Sequence, residues 1–176
     1  MAVKPVKIKI VTTTVDLMSK HVSVVPDNFD DEDESFDELF EAEGNDARPV
    51  FFETEGVMVS ENGLIKAFYN ESDISGLSDA ETCFAFNLDT PTTVSMFKSG
   101  GLTATLVFDC VNKRHICLYE NGIFPFEITV KTESLVNTVT FDGGGKIVAE
   151  YTVEIKGVPA EFNRISVKIN PIEHKL

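Results

Sequence analysis

The sequence predicts an all-β domain of about eight to ten strands that form an antiparallel meander and close into a barrel. Apolar and polar residues alternate through most of the chain from residue 49 onward, and no helical period interrupts them there. Short turn signals separate the alternating runs, and two of them are the Asn-Gly pairs at 62–63 and 121–122, which favour tight hairpins. A long meander removes its exposed edges by closing on itself, although a two-sheet sandwich would give a similar pattern.

The first strand is predicted near the start of the sequence, where Val6, Ile8 and Ile10 alternate with lysines. A signal peptide would instead show positive charge followed by an unbroken apolar stretch, so this segment is expected to belong to the folded domain. No run approaches the roughly 18 consecutive apolar residues of a membrane-spanning helix. With 176 residues the chain has the length of a single domain, 1–176.

The later strands are predicted from runs in which one face is apolar and the other is polar. Such runs are typical of a barrel with an apolar interior and a solvated exterior. On this pattern the carboxylates of Glu53, Glu55, Glu150 and Glu154 are expected to point outward into solvent. The predicted strands cover residues 50–59, 64–70, 82–88, 94–98, 102–109, 115–120, 124–131, 146–155 and 164–169.

Residues 26–48 form an acidic insert between the first two predicted strands. From 27 to 46 there are eleven acidic residues and no Lys or Arg, so this stretch carries most of the net charge of −14. Neither the insert nor the nearly neutral remainder offers the basic surface that a nucleic-acid backbone requires. Phe36, Leu39 and Phe40 have helical spacing, which leaves three alternatives: a disordered loop, a short helical lid over the barrel, or a docking motif for a basic protein partner.

Candidate metal ligands and nucleophiles are few. The cysteines are Cys83, Cys110 and Cys117, and an odd number without metal-like spacing predicts reduced thiols in a cytoplasmic protein. His115, Cys117 and Tyr119 share one strand face, but a metal site there would need further ligands from a neighbouring strand, so a plain strand is preferred. No nucleophile or phosphate-loop motif is present. We therefore expect no metal, no cofactor and no enzymatic activity.

A set of short segments in the second half of the chain resembles a known family. The segments are Met96 to Gly101, Leu106 to Asp109, Tyr119, and Phe126 to Leu135. They are similar to the YwiB-like family of uncharacterised bacterial proteins, and the resemblance covers roughly residues 50–170. It implies a calycin-like barrel, related in architecture to lipocalins and fatty-acid-binding proteins. The family tends to have Arg where Lys98 stands, and it has a shorter lead-in than this acidic insert.

Two functional hypotheses follow, and fold class alone does not decide between them. The first is a cytoplasmic barrel that binds a small apolar or amphipathic molecule in its interior, which requires a cavity of about 300 Å3 or more. Its walls would be formed by Phe52, Phe84, Phe86, Phe108, Phe126, Ile128, Tyr151 and Val153. The alternative is a non-enzymatic interaction module that acts through the acidic residues 27–46. Neither hypothesis involves nucleic acid or a membrane.

Overall fold

The computed structural model describes residues 1–17, 48–71, 79–120 and 125–172. These residues form ten β-strands. The strands are Ala2–Asp16 (β1), Arg48–Glu61 (β2), Leu64–Asn70 (β3), Glu81–Asn87 (β4), Thr90–Ser99 (β5), Thr103–Asp109 (β6), Arg114–Glu120 (β7), Pro125–Asn137 (β8), Gly145–Ile155 (β9) and Val158–Pro171 (β10). Within these ranges no helix has the length and apolar character needed to cross a membrane.

The strands form one closed antiparallel barrel, as the sequence predicts. Each strand pairs with its neighbours along the chain, and β1 pairs with β10 to complete the circle. The pairing of β1 with β10 is long, from Val6 opposite Pro171 to Asp16 opposite Glu161. All odd-numbered strands therefore finish at the same end of the barrel, which we call the Glu71 end after the residue that follows β3.

Alternation along the strands places apolar side chains inside the barrel. In β1, Val6, Ile8 and Ile10 are buried between exposed lysines, which confirms the predicted face. The centre of the barrel is filled by large side chains, with Phe84 and Phe108 fully buried. A barrel filled in this way is a packed core and not an open channel.

Two glycines show why the hairpin of β2 and β3 closes where it does. Asn62 and Gly63 have φ angles of 50° and 81°, the left-handed conformation of a tight hairpin turn, so this predicted turn is confirmed. Gly56 lies where strands and core meet closely: an added Cβ would stand 2.3 Å from the Phe68 carbonyl oxygen and 2.8 Å from Ile8 Cδ1. Only a residue without a side chain fits there.

The shortest ladder of paired residues in the barrel lies between β6 and β7 among the described residues. These strands share only the pairs Thr103–Glu120 and Ala104–Tyr119 among the described residues. Further along, β6 is joined directly to β8, because the Asp109 backbone N–H donates to Thr132 Oγ1 at 3.0 Å. The N–H of Thr132 in turn donates to the Lys113 carbonyl oxygen at 2.8 Å. Side-chain and turn groups thus complete the closure where the regular ladder stops.

Glu154 is on the predicted outer face of the barrel, but the prediction that it is solvated is wrong. Glu154 is buried, although it alternates with the apolar face of β9. Its Oε2 accepts a hydrogen bond from Arg114 Nη1 at 2.6 Å. Arg114 belongs to β7, and its guanidinium covers the Glu154 carboxylate on the outer surface. Alternation identifies the face of the sheet correctly, but it does not reveal that a long side chain from another strand covers the carboxylate.

Candidate binding site at the Glu71 end

An ion pair interrupts the apolar interior at the Glu71 end of the barrel. The Glu71 side chain is 1% exposed, and its Oε1 lies 2.7 Å from Lys98 Nζ. The hydroxyls of Thr82 and Tyr69 donate to the same oxygen at 2.5 and 3.5 Å. Burying a carboxylate is costly, and these donors offset the loss of its hydration. We call Glu71, Lys98, Thr82 and Tyr69 the Glu71 cluster.

The local backbone explains why these side chains meet. The N–H of Glu71 donates to the Ala80 carbonyl oxygen at 2.7 Å, which extends the β3–β4 ladder by one step beyond β3. Thr82 stands opposite both Tyr69 and Lys98 in the register of β3, β4 and β5. Tyr69, Thr82 and Lys98 therefore form one row across the inner face of three adjacent strands. Glu71 lies just beyond the end of β3 on the same face.

The surroundings of Tyr69 favour its protonated hydroxyl even more than in water. Its burial raises the pKa of the phenol strongly, and the negative charge of Glu71 raises that pKa further. The ring packs between two others, with centroids 5.9 Å from Phe52 and 6.3 Å from Phe84. Tyr69 is thus a rigid hydrogen-bond donor at neutral pH.

The Glu71 cluster borders a cavity of about 100 Å3 inside the barrel, which we call the inner cavity. Its other lining side chains come from β1, β2 and β10, and most of them are apolar: Ile10, Thr12, Val50, Phe52 and Ile165. The first hypothesis requires about 300 Å3 for a whole drug-sized ligand. The inner cavity is smaller than that, so by itself it encloses only a small chemical group.

A second concavity lies on the outer surface of β3, β4 and β5. It has a volume of about 270 Å3 and is lined by Lys66, Phe68, Glu81, Cys83, Ala85, Phe97 and Ser99. Its thiol is a poor nucleophile, because burial raises the pKa of Cys83 to about 11.

Most of the predicted wall residues fill the interior and do not line the inner cavity. Six of the eight are buried: Phe52, Phe84, Phe86, Phe108, Ile128 and Tyr151. Val153 is partly buried against the core. Phe126 departs from the prediction, because it is 39% exposed beside Tyr119 at the start of β8. Of these eight, Phe52 is the one found in the lining of the inner cavity within the described chain. The predicted lid or docking residues Phe36, Leu39 and Phe40 lie outside the described residues.

The histidine and cysteine candidates do not come together. His115 Nε2 lies 3.4 Å from Asp109 Oδ2, and Cys117 is buried in the interior. Cys83 lies on the outer surface instead. Across the described ranges no three His, Cys, Asp or Glu side chains are grouped to hold a metal ion, and the three thiols are free.

The Glu71 cluster was not predicted from the sequence, although one signal was present. Val94, Met96 and Lys98 alternate along β5, so Lys98 occupies an inward position that apolar residues hold elsewhere on the strand. A lysine at such a position requires a buried acidic partner. The partner, Glu71, follows β3 without any pattern, and its location depends on the barrel register.

Comparison with known proteins agrees with this architecture. The model of a family described as "Domain of unknown function (DUF1934)" matches residues 39–167. The chain belongs to this family. A solved structure, the ywiB protein from Bacillus subtilis, is similar over 97% of this chain and 94% of that chain, with a TM-score of 0.67 and 13% identity. At that identity the similarity shows the fold alone. No curated protein matches the chain.

The DUF1934 match confirms the resemblance to a YwiB-like family with a barrel fold. It assigns no activity, since the family itself is described as one of unknown function. The functional argument therefore depends on the chemistry of the Glu71 end.

Proposed function

We propose that this DUF1934 protein is a non-enzymatic binding protein whose barrel holds a small, uncharged polar group at the Glu71 end. The observation that carries the proposal is the Lys98–Glu71 ion pair, which forms part of the lining of the inner cavity. Buried ion pairs contribute little net stability compared with apolar side chains of similar volume. A binding role gives a reason for keeping one inside an otherwise apolar barrel. The free cysteines support a cytoplasmic location.

The cavity restricts the chemistry of the ligand. An apolar cavity of about 150 Å3 holds benzene, which has six non-hydrogen atoms, so the inner cavity of about 100 Å3 encloses about four of the atoms of a ligand of that size. The opposite charges of Lys98 and Glu71 cancel, which favours a neutral head group over an anion. Lys98 has ammonium hydrogens beyond the one bound to Glu71, and Ile10 and Ile165 offer apolar contact. A short amide or carbonyl compound with a branched apolar body fits these features.

Two isosteric probes test this ligand class. Isobutyramide and isobutyrate have nearly the same size and shape, but the amide is neutral and carries N–H donors, whereas the carboxylate is negatively charged and only accepts hydrogen bonds. We expect isobutyramide to shift the NMR signals of the Ile10 and Ile165 methyl groups in a saturable way, and isobutyrate to bind more weakly. The double variant Glu71→Gln/Lys98→Met should lose the response, whereas Lys66→Met, in the outer concavity, should keep it. Absence of any shift with both probes would contradict the proposal.

A native mass spectrum of the purified protein provides an independent search for a retained ligand.

The second candidate function is docking of a basic protein through residues 27–46. A specific sequence feature favours it: eleven acidic residues without Lys or Arg surround Phe36, Leu39 and Phe40. Replacing those three apolar residues with Ser keeps the charge and removes the apolar contacts. A partner identified by cross-linking should be lost from this variant and from a 27–46 deletion. Isobutyramide binding should survive both changes.

A further inference from the structure

Three lysines form a row across the outer surface of the barrel. Lys9 of β1 stands directly opposite Lys168 of β10, and Lys168 stands directly opposite Lys146 of β9. Neighbouring strands are about 4.8 Å apart, so the three side chains emerge close together. All three are exposed. Like charges directly opposite one another destabilise a sheet, so this row is unfavourable for the fold by itself.

Among the described residues, a carboxylate neutralises the lysine row only at its Lys9 end. Lys9 Nζ lies 3.0 Å from Glu53 Oε2, and Glu53 also binds Lys7. Lys146 and Lys168 make no ion pair with any residue in the described part of the chain. The β9 and β10 end of the row therefore presents positive charge to solvent, in a protein whose net charge is −14.

A row of four apolar residues and one serine runs beside the lysine row, and we call it the apolar row. It crosses five adjacent strands through directly opposed residues, which are Phe51, Val11, Ser166, Val148 and Val136. It lies two residues along the strands from the lysine row, a separation of about 7 Å. Phe51 is 58% exposed and Val136 is also exposed, so both ends of the row are open to solvent. Contiguous apolar side chains on the outside of a protein are typical of contact surfaces, whereas isolated ones are common.

We propose that the lysine row and the apolar row together form a docking surface for an acidic polypeptide segment with interspersed aromatic residues. Carboxylates of the segment pair with Lys146 and Lys168, and its aromatic side chains pack on Phe51 and the adjacent valines. Side chains on one side of an extended peptide repeat every 7 Å or so, which matches the separation of the two rows. Nucleic acid is the less suitable polyanion, because its sugar-phosphate backbone gains nothing from the apolar row and the protein's overall charge repels it.

Residues 27–46 of this chain have the required chemistry, so a synthetic peptide of that sequence is a direct probe. We expect the labelled peptide to bind the full-length protein in fluorescence anisotropy, with affinity that falls as salt rises. Lys168→Glu should weaken binding by about fivefold or more, because it reverses charge in the centre of the row. Lys113→Glu makes the same change in net charge at an exposed turn and should have little effect. Phe51→Ser should also weaken binding.

Several outcomes would overturn the proposal. One is the absence of peptide binding both to the full-length protein and to a variant lacking residues 27–46, in which the same stretch cannot compete. Another is equal loss of affinity in Lys168→Glu and Lys113→Glu, which indicates a general charge effect. A third is that a single-stranded DNA with the same charge as the peptide binds more tightly than the peptide does, and that Phe51→Ser leaves its affinity unchanged. Circular dichroism of each variant excludes misfolding, and every substituted side chain is on the surface.

Discussion

The Thr132 hydroxyl in β8 accepts a hydrogen bond from the backbone N–H of Asp109, the last residue of β6, at 3.0 Å. The bond bridges two strands that are not neighbours in the barrel order, since β7 lies between them. It is needed because β6 and β7 separate after two residue pairs. A side chain here takes the place of a backbone carbonyl, so one hydroxyl satisfies a buried backbone N–H of the barrel wall.

Replacing Thr132 with Val should therefore reduce the free energy of unfolding by about 1–3 kcal/mol, since it leaves the buried Asp109 N–H without an acceptor. Thr132→Ser keeps the hydroxyl and should recover a large part of that loss. Urea denaturation of both variants measures the difference. Since Val has nearly the same shape as Thr, an unchanged free energy of unfolding in Thr132→Val would show that the hydrogen bond contributes little to stability.

The tyrosines should resist ionisation in the folded protein. The chain has three tyrosines and no tryptophan, so tyrosinate absorbance can be followed without interference. Burial raises the pKa of Tyr69, Tyr119 and Tyr151, and nearby carboxylates raise it further. A raised folded-state pKa gives stability that is complete below the unfolded value of about 10 and is lost as pH rises above it. We expect tyrosinate to appear together with loss of circular dichroism at alkaline pH. Titration of a folded sample near pH 10 would contradict this.

Asp109 should link stability to acid pH. Burial alone would raise the pKa of its carboxyl, but the backbone N–H groups of Val111 and Asn112, at 2.7 and 3.0 Å, and the neighbouring His115 outweigh burial and hold the pKa below its usual value. The resulting stability is present above the unfolded pKa of about 3.9 and is lost as pH falls through the lower folded value. Asp109→Asn should lower the free energy of unfolding by about 1 kcal/mol at neutral pH and by less at acid pH. Asp89→Asn, at an exposed turn, is the matched control.

Gly56 should tolerate no side chain. Gly56→Ala places a methyl group against the carbonyl of Phe68 and should destabilise the protein by about 1–3 kcal/mol, because backbone must move to make room. Gly101→Ala introduces the same methyl group where no atom lies within 4 Å. Thermal unfolding of the two variants compares them directly. Similar melting temperatures would mean that β2 and β3 shift apart easily.

The Glu71 cluster should show coupling between its two charges. Lys98→Met removes the partner of a buried carboxylate and should cost about 3 kcal/mol, with some relief because Lys98 is partly exposed. Adding Glu71→Gln removes the uncompensated charge and should restore part of the loss. A double-mutant cycle in urea measures this coupling. Additive losses would indicate that the two side chains act independently.

The sequence predicts the barrel well because its signals are local. The positive φ of Asn62 and Gly63 is fixed by the turn they form, and the alternation of Val6, Ile8 and Ile10 reflects a half-buried strand. These features require only nearby residues. The same local reasoning predicts Phe84 and Phe108 as interior side chains, and both are fully buried.

The candidate site is less predictable because it depends on tertiary register. Glu71 is buried because Tyr69, Thr82 and Lys98 converge from three strands, and no local pattern encodes that convergence. Phe126 departs from its prediction for another reason: its alternation is correct, but it stands at the start of β8 and is 39% exposed there. The size of the inner cavity follows from the packing of the whole core, which composition does not determine.

The pairing of β1 with β10 has a consequence for synthesis on the ribosome. Among the ten described strands β1 is synthesised first, but the strand that covers one of its edges is β10, the last of the ten. That edge stays unpaired while the intervening strands emerge, and contacts so distant in sequence form slowly. Its alternating lysines, Lys7 and Lys9, disfavour the pairing of other chains with this edge until β10 has been synthesised. The lysines of β1 would then protect the nascent chain from aggregation before they form part of the finished surface.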